Sequence, residues 1–252
     1  ALPILTRIDP SQDLERSEGR AAFPVAGSSC RAPPPPASQE SLAVSFQGGA
    51  REGRASGWTG LSKHYFAEFR LPLTVPGGPA HLVLVLTGAH LLSQPGHRLR
   101  CLRREGQAHV WLQGMRERAR SAAQRHPHST HEVALVATGD LNDYDPDVAS
   151  PDHQASVSQT LPILTQQGGL VNAAHSVPGC AARYTNWHDV DGDCADSGAP
   201  EHGLIDHLLF TEGMRTRLRR AWIVNDAVDA DLWVSCTRRI SDHWPIVAEF
   251  AL

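Results

Sequence analysis

The chain has no CxxC pair and no clustering of histidine with cysteine among its five cysteines, which excludes a structural thiolate zinc site. It has no apolar run approaching the roughly 20 residues that cross a bilayer, so no membrane-spanning helix is expected. No aromatic or apolar stretch announces a membrane-inserting loop. Basic residues are not in excess: 23 Lys and Arg against 27 Asp and Glu give a formal net charge of −4. That balance argues against a surface that grips nucleic acid everywhere, and leaves room for a local basic patch beside an acidic site. Neither Met nor a signal-like segment stands at the start, Ala1, so a processed or incomplete start is expected.

What is present fits one globular domain over residues 1–252, with 41% hydrophobic and 20% charged residues. Eighteen prolines and 21 glycines fall mostly between the apolar runs, which suits short strands joined by substantial loops. From Gly27 to about Gly57 the composition turns to Ser, Gly, Ala and Arg around Pro33-Pro34-Pro35-Pro36. This stretch cannot build a packed core and is expected to be a flexible low-complexity surface insertion, about 27–57. The opening run Leu2 to Arg7 is strand-like, but Pro3 confines it to an edge. Cys30, Cys101, Cys180, Cys194 and Cys236 lie mostly in polar, loop-like sequence. One or two disulfides, with one cysteine left over, and a secreted protein are expected.

Along the rest of the chain, Ala67 to Leu71 alternates apolar and polar residues, Val75-Pro76-Gly77-Gly78 reads as a turn, and His81 to Leu86 is a second strand. Together they predict an antiparallel hairpin, with His90 just past its end. Leu102 to about Arg125 predicts a surface helix, and Ser156 to Gln167 a second helix in which Pro162 must lie in the first turn or kink it. Strands are expected at Val133–Ala137, Ile205–Phe210, Ala221–Val224 and Pro245–Phe250. Hairpins alternating with crossing helices predict an α/β sandwich whose strand ends carry the site.

Three stretches then place ionisable residues against those strands: Gly139-Asp140-Leu141-Asn142, Ile205-Asp206-His207 and Ser241-Asp242-His243-Trp244-Pro245. Buried ionisable groups need partners, so the three are expected to meet. Asp140, Asn142 and Asp242 offer oxygen ligands suited to Mg²⁺ or Mn²⁺ holding phosphate oxygens. His90 and His243 are suited to proton handling, and Asp206 to orienting an imidazole. Taken alone, an Asp-Leu-Asn turn is more often an Asx turn or a cap, and a lone histidine at a strand end is ordinarily structural.

With Gly88-Ala89-His90-Leu91 added, these motifs resemble, in order and spacing, the endonuclease/exonuclease/phosphatase superfamily with its DNase I-like fold, over roughly residues 1 to 8 and 59 to 252. The resemblance implies a DNase I-like two-sheet α/β sandwich and a metal-dependent phosphoester hydrolase using water, with nucleic acid or another phosphodiester as substrate. It implies that Asp140 and Asn142 position the water and the phosphate, and that Asp242 binds metal. His243, paired with Asp206, would contact the scissile phosphate, and His90 would be the second histidine. The family's early-strand Asn and metal-binding Glu have no counterpart in residues 1 to 252, so an N-terminally incomplete domain is expected. The alternatives are a sphingomyelinase- or inositol-phosphatase-like phosphoesterase, and a non-catalytic binding module that has lost its metal.

Secondary features complete the expectations. Asp189, Asp191 and Asp193 cluster like a Ca²⁺ loop, although Gly192 stands at the fourth position, where an EF-hand has its glycine at the sixth. Lys63 and Arg183 are candidate phosphate contacts, and the arginines from Arg98 to Arg104 a candidate guide for a phosphodiester backbone. No stable protein partner is expected.

Overall fold

The structure, a computed structural model, describes residues 63–75, 78–126, 133–152, 154, 156–225 and 241–251, together with the backbone of 22–25 and 42–45. The Leu2–Arg7 run lies outside the described residues, as does the 27–57 span apart from 42–45. Strands β1 (Ala22–Val25) and β2 (Leu42–Ser45) pair antiparallel.

The predicted hairpin forms from β3 (His64–Val75) and β4 (Gly78–Ala89). From β4 the chain crosses through helix α1 (Arg98–Arg125) to β5 (Val133–Asp140), which lies parallel to β4. A parallel pair needs a long crossover, and α1 supplies it. After β6 (Leu170–Asn172), β7 (Asn186–Trp187) and β8 (His202–Gly203), strand β9 (Asp206–Thr211) inserts antiparallel between β5 and β6. The five-stranded order is β3-β4-β5-β9-β6, while β10 (Leu218–Ile223) and β11 (Ile246–Phe250) form a separate antiparallel pair.

The near-continuous apolar runs of β4, β5 and β9 follow from burial on both faces. On one face Val83, Val85, Leu135, Ala137 and Leu209 pack with Trp111, Leu112 and Met115 of α1. On the other, Leu82, Ala134 and Phe210 pack with Ala221 and Ile223 of β10 and with the partly buried Ile246, Ala248 and Phe250 of β11. The layers are therefore helix, five-stranded sheet and two-stranded sheet, the two-sheet α/β sandwich expected from the sequence.

Two elements differ from expectation. Helix α1 is not a surface helix along its first half, because Cys101, Arg104, Glu105, Gln107, Ala108 and Trp111 are all buried. The helix expected from Ser156 shrinks to Thr160–Pro162, followed by a wider π-turn over Ile163–Gln167. The cause is hydroxyl competition for the backbone: the Ser156 hydroxyl donates to the Ser158 carbonyl at 2.8 Å, and the Ser158 oxygen accepts from the Thr160 amide at 3.1 Å. Helix begins only where those bonds stop, which puts Pro162 in the first turn, where its missing N–H costs nothing.

Candidate active site

The register of β5 against β9 places Asp140 directly opposite Asp206, and Gly139 opposite His207. Period-2 alternation then separates the Asp206-His207 pair. His207 is fully buried: its Nε2 donates to the Asp143 carbonyl at 2.9 Å, so its Nδ1 accepts from Asn172 at 3.0 Å. It is a structural histidine. Asp206 turns the other way and meets His243, with Oδ2 2.7 Å from Nδ1.

His90 reaches the same cluster through the end of β4. Gly139 has φ +144°, and a Cβ there would lie 1.9 Å from the Ala89 carbonyl oxygen. Only glycine permits this approach. Just beyond it the Leu91 amide donates to the Asp140 carbonyl at 2.9 Å, bringing His90 Nε2 to 3.4 Å from Asp140 Oδ2. Asp140 Oδ1 accepts from the Asn142 amide at 2.9 Å in an Asx turn, with Asn142 at φ +50°. The Asn142 side chain is buried and its Nδ2 donates to the Leu91 carbonyl at 3.2 Å.

Asp140, Asp206 and His243 each present a ligand atom, all within 4.8 Å of one another. Asp242 stands on the solvent side, Oδ1 3.8 Å from His243 Nε2, so the imidazole has a carboxylate near each nitrogen. The electrostatics follow. Burial raises the Asp140 carboxyl above the usual range, and the Asp206 charge adds to it. The hydrogen bond that His243 Nδ1–H donates to Asp206 raises His243 to about 9, helped by the charges of Asp206, Asp140 and Asp242 against partial burial. The imidazole is therefore cationic at neutral pH.

A direct check is the ring titration of His243 by NMR in metal-free protein. Asp206→Asn is expected to move the midpoint from about 9 toward the ordinary value of roughly 6.5; an unmoved midpoint would show that Asp206 is not its source. Because the folded value lies above the unfolded one, the pairing stabilises the fold fully below the unfolded value, and that stability is lost as pH rises through about 9.

The other predicted residues lie apart from this cluster or at its margin. Lys63 adjoins His90 through the backbone, its carbonyl accepting from the His90 amide at 2.9 Å, and its side chain is exposed. Arg183 Nε is tied to the Val177 carbonyl at 2.8 Å. Of the arginines from Arg98 to Arg104, Arg104 is fully buried and cannot guide a substrate, and Arg100 donates to the Ser93 hydroxyl at 2.9 Å. Asp189, Asp191 and Asp193 do bring carboxylates within 4.8 Å of one another, in a loop whose carboxylates accept from Gly192, Cys194, Asp193 and Ala195 amides. A surface cavity of about 500 Å³ beside Arg219 and Trp222 contains none of the site residues and has no bearing on this chemistry.

Sequence reasoning missed the groups that hold the Asp140 loop. Asn172 Nδ2 bridges His207 to Asp145, at 2.8 Å from Asp145 Oδ2. Asp143 and Arg104, both fully buried, pair at 3.5 Å. The adjacency of Asp143 to the Asp140-Leu141-Asn142 motif was the available signal.

No family model and no curated protein matches the sequence. Solved structures do. The catalytic domain of Xenopus laevis APE2 matches with TM-score 0.48 and 14% identity over 75% of this chain. An endonuclease/exonuclease/phosphatase from Beutenbergia cavernae gives 0.41 and 18% over 75%, and the 3′ phosphatase NExo from Neisseria, bound to product DNA hairpin, 0.43 and 23% over 73%. The chain is similar to endonuclease/exonuclease/phosphatase proteins. It spans 55% of the APE2 chain, 40% of the Beutenbergia chain and 72% of the NExo chain. At TM-scores below 0.5 this likeness carries no functional weight, and the chemistry rests on the site's own geometry.

Proposed function

We propose that this chain is a metal-assisted phosphoester hydrolase that uses water as nucleophile, acting on phosphodiesters and most suited to nucleic acid. The observation that carries the reading is the His243–Asp206 pair at 2.7 Å, set beside Asp140 in one cluster. A cationic imidazole whose charge is held by a carboxylate is a ready partner for a phosphoryl oxygen, on which charge grows during in-line attack. Asp140, with its raised carboxyl, takes the proton from the attacking water, His90 beside it orients that carboxylate, and the departing alkoxide oxygen takes its proton from solvent. The P–O bond to water forms as the P–O bond to the leaving group breaks.

The donor set fits a hard divalent cation. Asp140 and Asp206 face each other across one strand pair and bring carboxylate oxygens within 4.8 Å of one another and of His243, donors of the kind a hard cation takes. Asp140, Asp242 and the Asn142 carboxamide oxygen are the groups that would hold Mg²⁺ or Mn²⁺. Such a cation supplies neutralisation of phosphoryl oxygens and lowers the pKa of bound water.

The reading is checked by hydrolysis of bis(p-nitrophenyl) phosphate and of a DNA duplex, before and after chelation. Activity is expected to vanish with chelator and to return with Mg²⁺ or Mn²⁺. Turnover that persists in chelator would remove the cation from the chemistry, and no turnover under either condition would remove the hydrolase.

We also propose that the protein carries disulfides and works in an oxidising compartment. The assignment of Cys101 and of Cys194 to disulfides, with Cys180 left as a free thiol, supports this. Thiol titration of the unfolded, unreduced protein is expected to return fewer than five thiols per chain; all five cysteines reacting would reject it.

A further inference from the structure

Asp206 and His243 belong to different sheets. Asp206 opens β9 in the five-stranded sheet, and His243 precedes β11 in the two-stranded one. No ladder joins those two strands, so something else must set the 2.7 Å separation of the two side chains.

Thr185 is bonded to both segments. Strand β6 pairs with β9 only from Leu209 to Thr211, so the amides of Ile205 and Asp206 lie beyond the end of that ladder. Thr185 Oγ1 accepts from both, at 3.2 Å from the Ile205 nitrogen and 2.9 Å from the Asp206 nitrogen. A side-chain oxygen thus stands where a neighbouring strand's carbonyls would be. The Thr185 main chain holds the other partner: its carbonyl accepts from the Trp244 amide at 2.8 Å, and its amide donates to the Gly203 carbonyl at 2.9 Å. The two following residues extend the grip. The Trp187 amide donates to the Asp242 carbonyl at 3.0 Å, Asn186 Nδ2 donates to the same carbonyl at 3.2 Å, and Asn186 bridges to His243. Thr185 is fully buried, so water cannot replace the hydroxyl without rearrangement.

We propose that Thr185 is a positioning residue, whose hydroxyl oxygen fixes Asp206 while its carbonyl fixes the chain at His243, so that one residue sets the Asp206–His243 distance across two sheets. This rests on the hydrolase reading of that pair. Valine keeps the shape of threonine and removes the acceptor, whereas serine keeps the acceptor and loses a methyl group.

The test measures kcat and KM for bis(p-nitrophenyl) phosphate with Mg²⁺. It also follows, in metal-free protein, the downfield proton resonance of the His243 Nδ1–H bonded to Asp206. Thr185→Val is expected to lower kcat about 100-fold with KM within about twofold, the cost of a sub-ångström to ångström misplacement of a reacting group. The resonance should be lost with it. Thr185→Ser is expected to keep the resonance and to stay within about fivefold of the parent kcat, since the acceptor is intact. Should the valine variant not fold, Thr185→Ala carries the same expectation. An intact resonance with parental kcat in the acceptor-less variant overturns the proposal, and so does a serine variant as impaired as valine. Turnover indifferent to His243→Ala would instead reject the catalytic role of that pair, and no turnover in the parent would reject the hydrolase reading, while the resonance still reports, without turnover, whether Thr185 holds the pair.

Discussion

Replacing His243 with alanine is expected to lower kcat for phosphodiester hydrolysis at pH 7 by about a thousandfold, within the range measured for removing a charged or proton-transferring group from a transition state. The size follows from three facts. The imidazole is positively charged at neutral pH because Asp206 raises it to about 9. Its side chain is only 30% exposed, so its field is poorly screened. Its Nε2 is the nitrogen that Asp206 leaves available. Charge on the phosphoryl oxygens grows toward the transition state, so the loss should fall on kcat and leave KM nearly unchanged. The pH profile provides a second signature. Activity should fall on the alkaline side as His243 loses its proton near 9. In the alanine variant the alkaline fall should disappear. A His243→Ala enzyme within threefold of the parent would remove the imidazole from the mechanism.

The second large effect is on stability. Arg104→Met is expected to destabilise the fold by about 3–5 kcal/mol, the usual cost of leaving one member of a buried ion pair alone. Arg104 and Asp143 are both fully buried. Besides Asp143, the guanidinium satisfies three carbonyls, those of Leu92 at 3.3 Å, Gln94 at 2.9 Å and Pro95 at 2.6 Å. Burial pushes the Asp143 carboxyl up, and Arg104 pulls it back down. Asp143 also accepts from the Tyr144 amide at 2.9 Å and from the Ser158 hydroxyl. Methionine fills much of the volume and leaves all of these acceptors facing an apolar side chain. Urea unfolding at neutral pH measures the loss. The deficit should shrink at acid pH, where Asp143 can be protonated in the variant. A variant within about 1 kcal/mol of the parent would place this pair with exposed ones. Because Arg104 ties the segment after His90 to the residue after Asn142, hydrolysis should fall in the same variant at temperatures where it remains folded.

The strands and the meeting of the four residues of the candidate cluster were legible because each signal was local. Apolar runs of strand length marked β4, β5, β9 and β11, and a polar group just beyond such a run has few places to go. Alternation alone says only that Asp206 and His207 diverge; it was the motif resemblance that assigned Asp206 to His243, and the structure places them 2.7 Å apart with His207 in the core. The burial of Arg104 was hidden for another reason. An arginine-rich helix reads as solvated, and only the loop at Leu92–Pro95, presenting three carbonyls to one guanidinium, makes the interior tolerable for it. The short second helix failed on hydroxyl chemistry: Ser156, Ser158 and Thr160 are acceptable to a helical pattern, but their side chains compete for the amides that would nucleate it.

The order β3-β4-β5-β9-β6 also has a kinetic meaning. His90, Asp140, Asp206 and His243 come from four distant points of the chain, joined by one parallel pairing, a central strand inserted late in sequence, and a link between sheets. Contacts of such long sequence separation carry the loop-closure cost before any of their gain, and they form slowly. A nascent or partly refolded chain can hold the β3–β4 hairpin and α1 while possessing no fraction of the site. On the hydrolase reading, recovered turnover should thus be an all-or-none clock for the last step of assembly, ticking only after helix content has already returned.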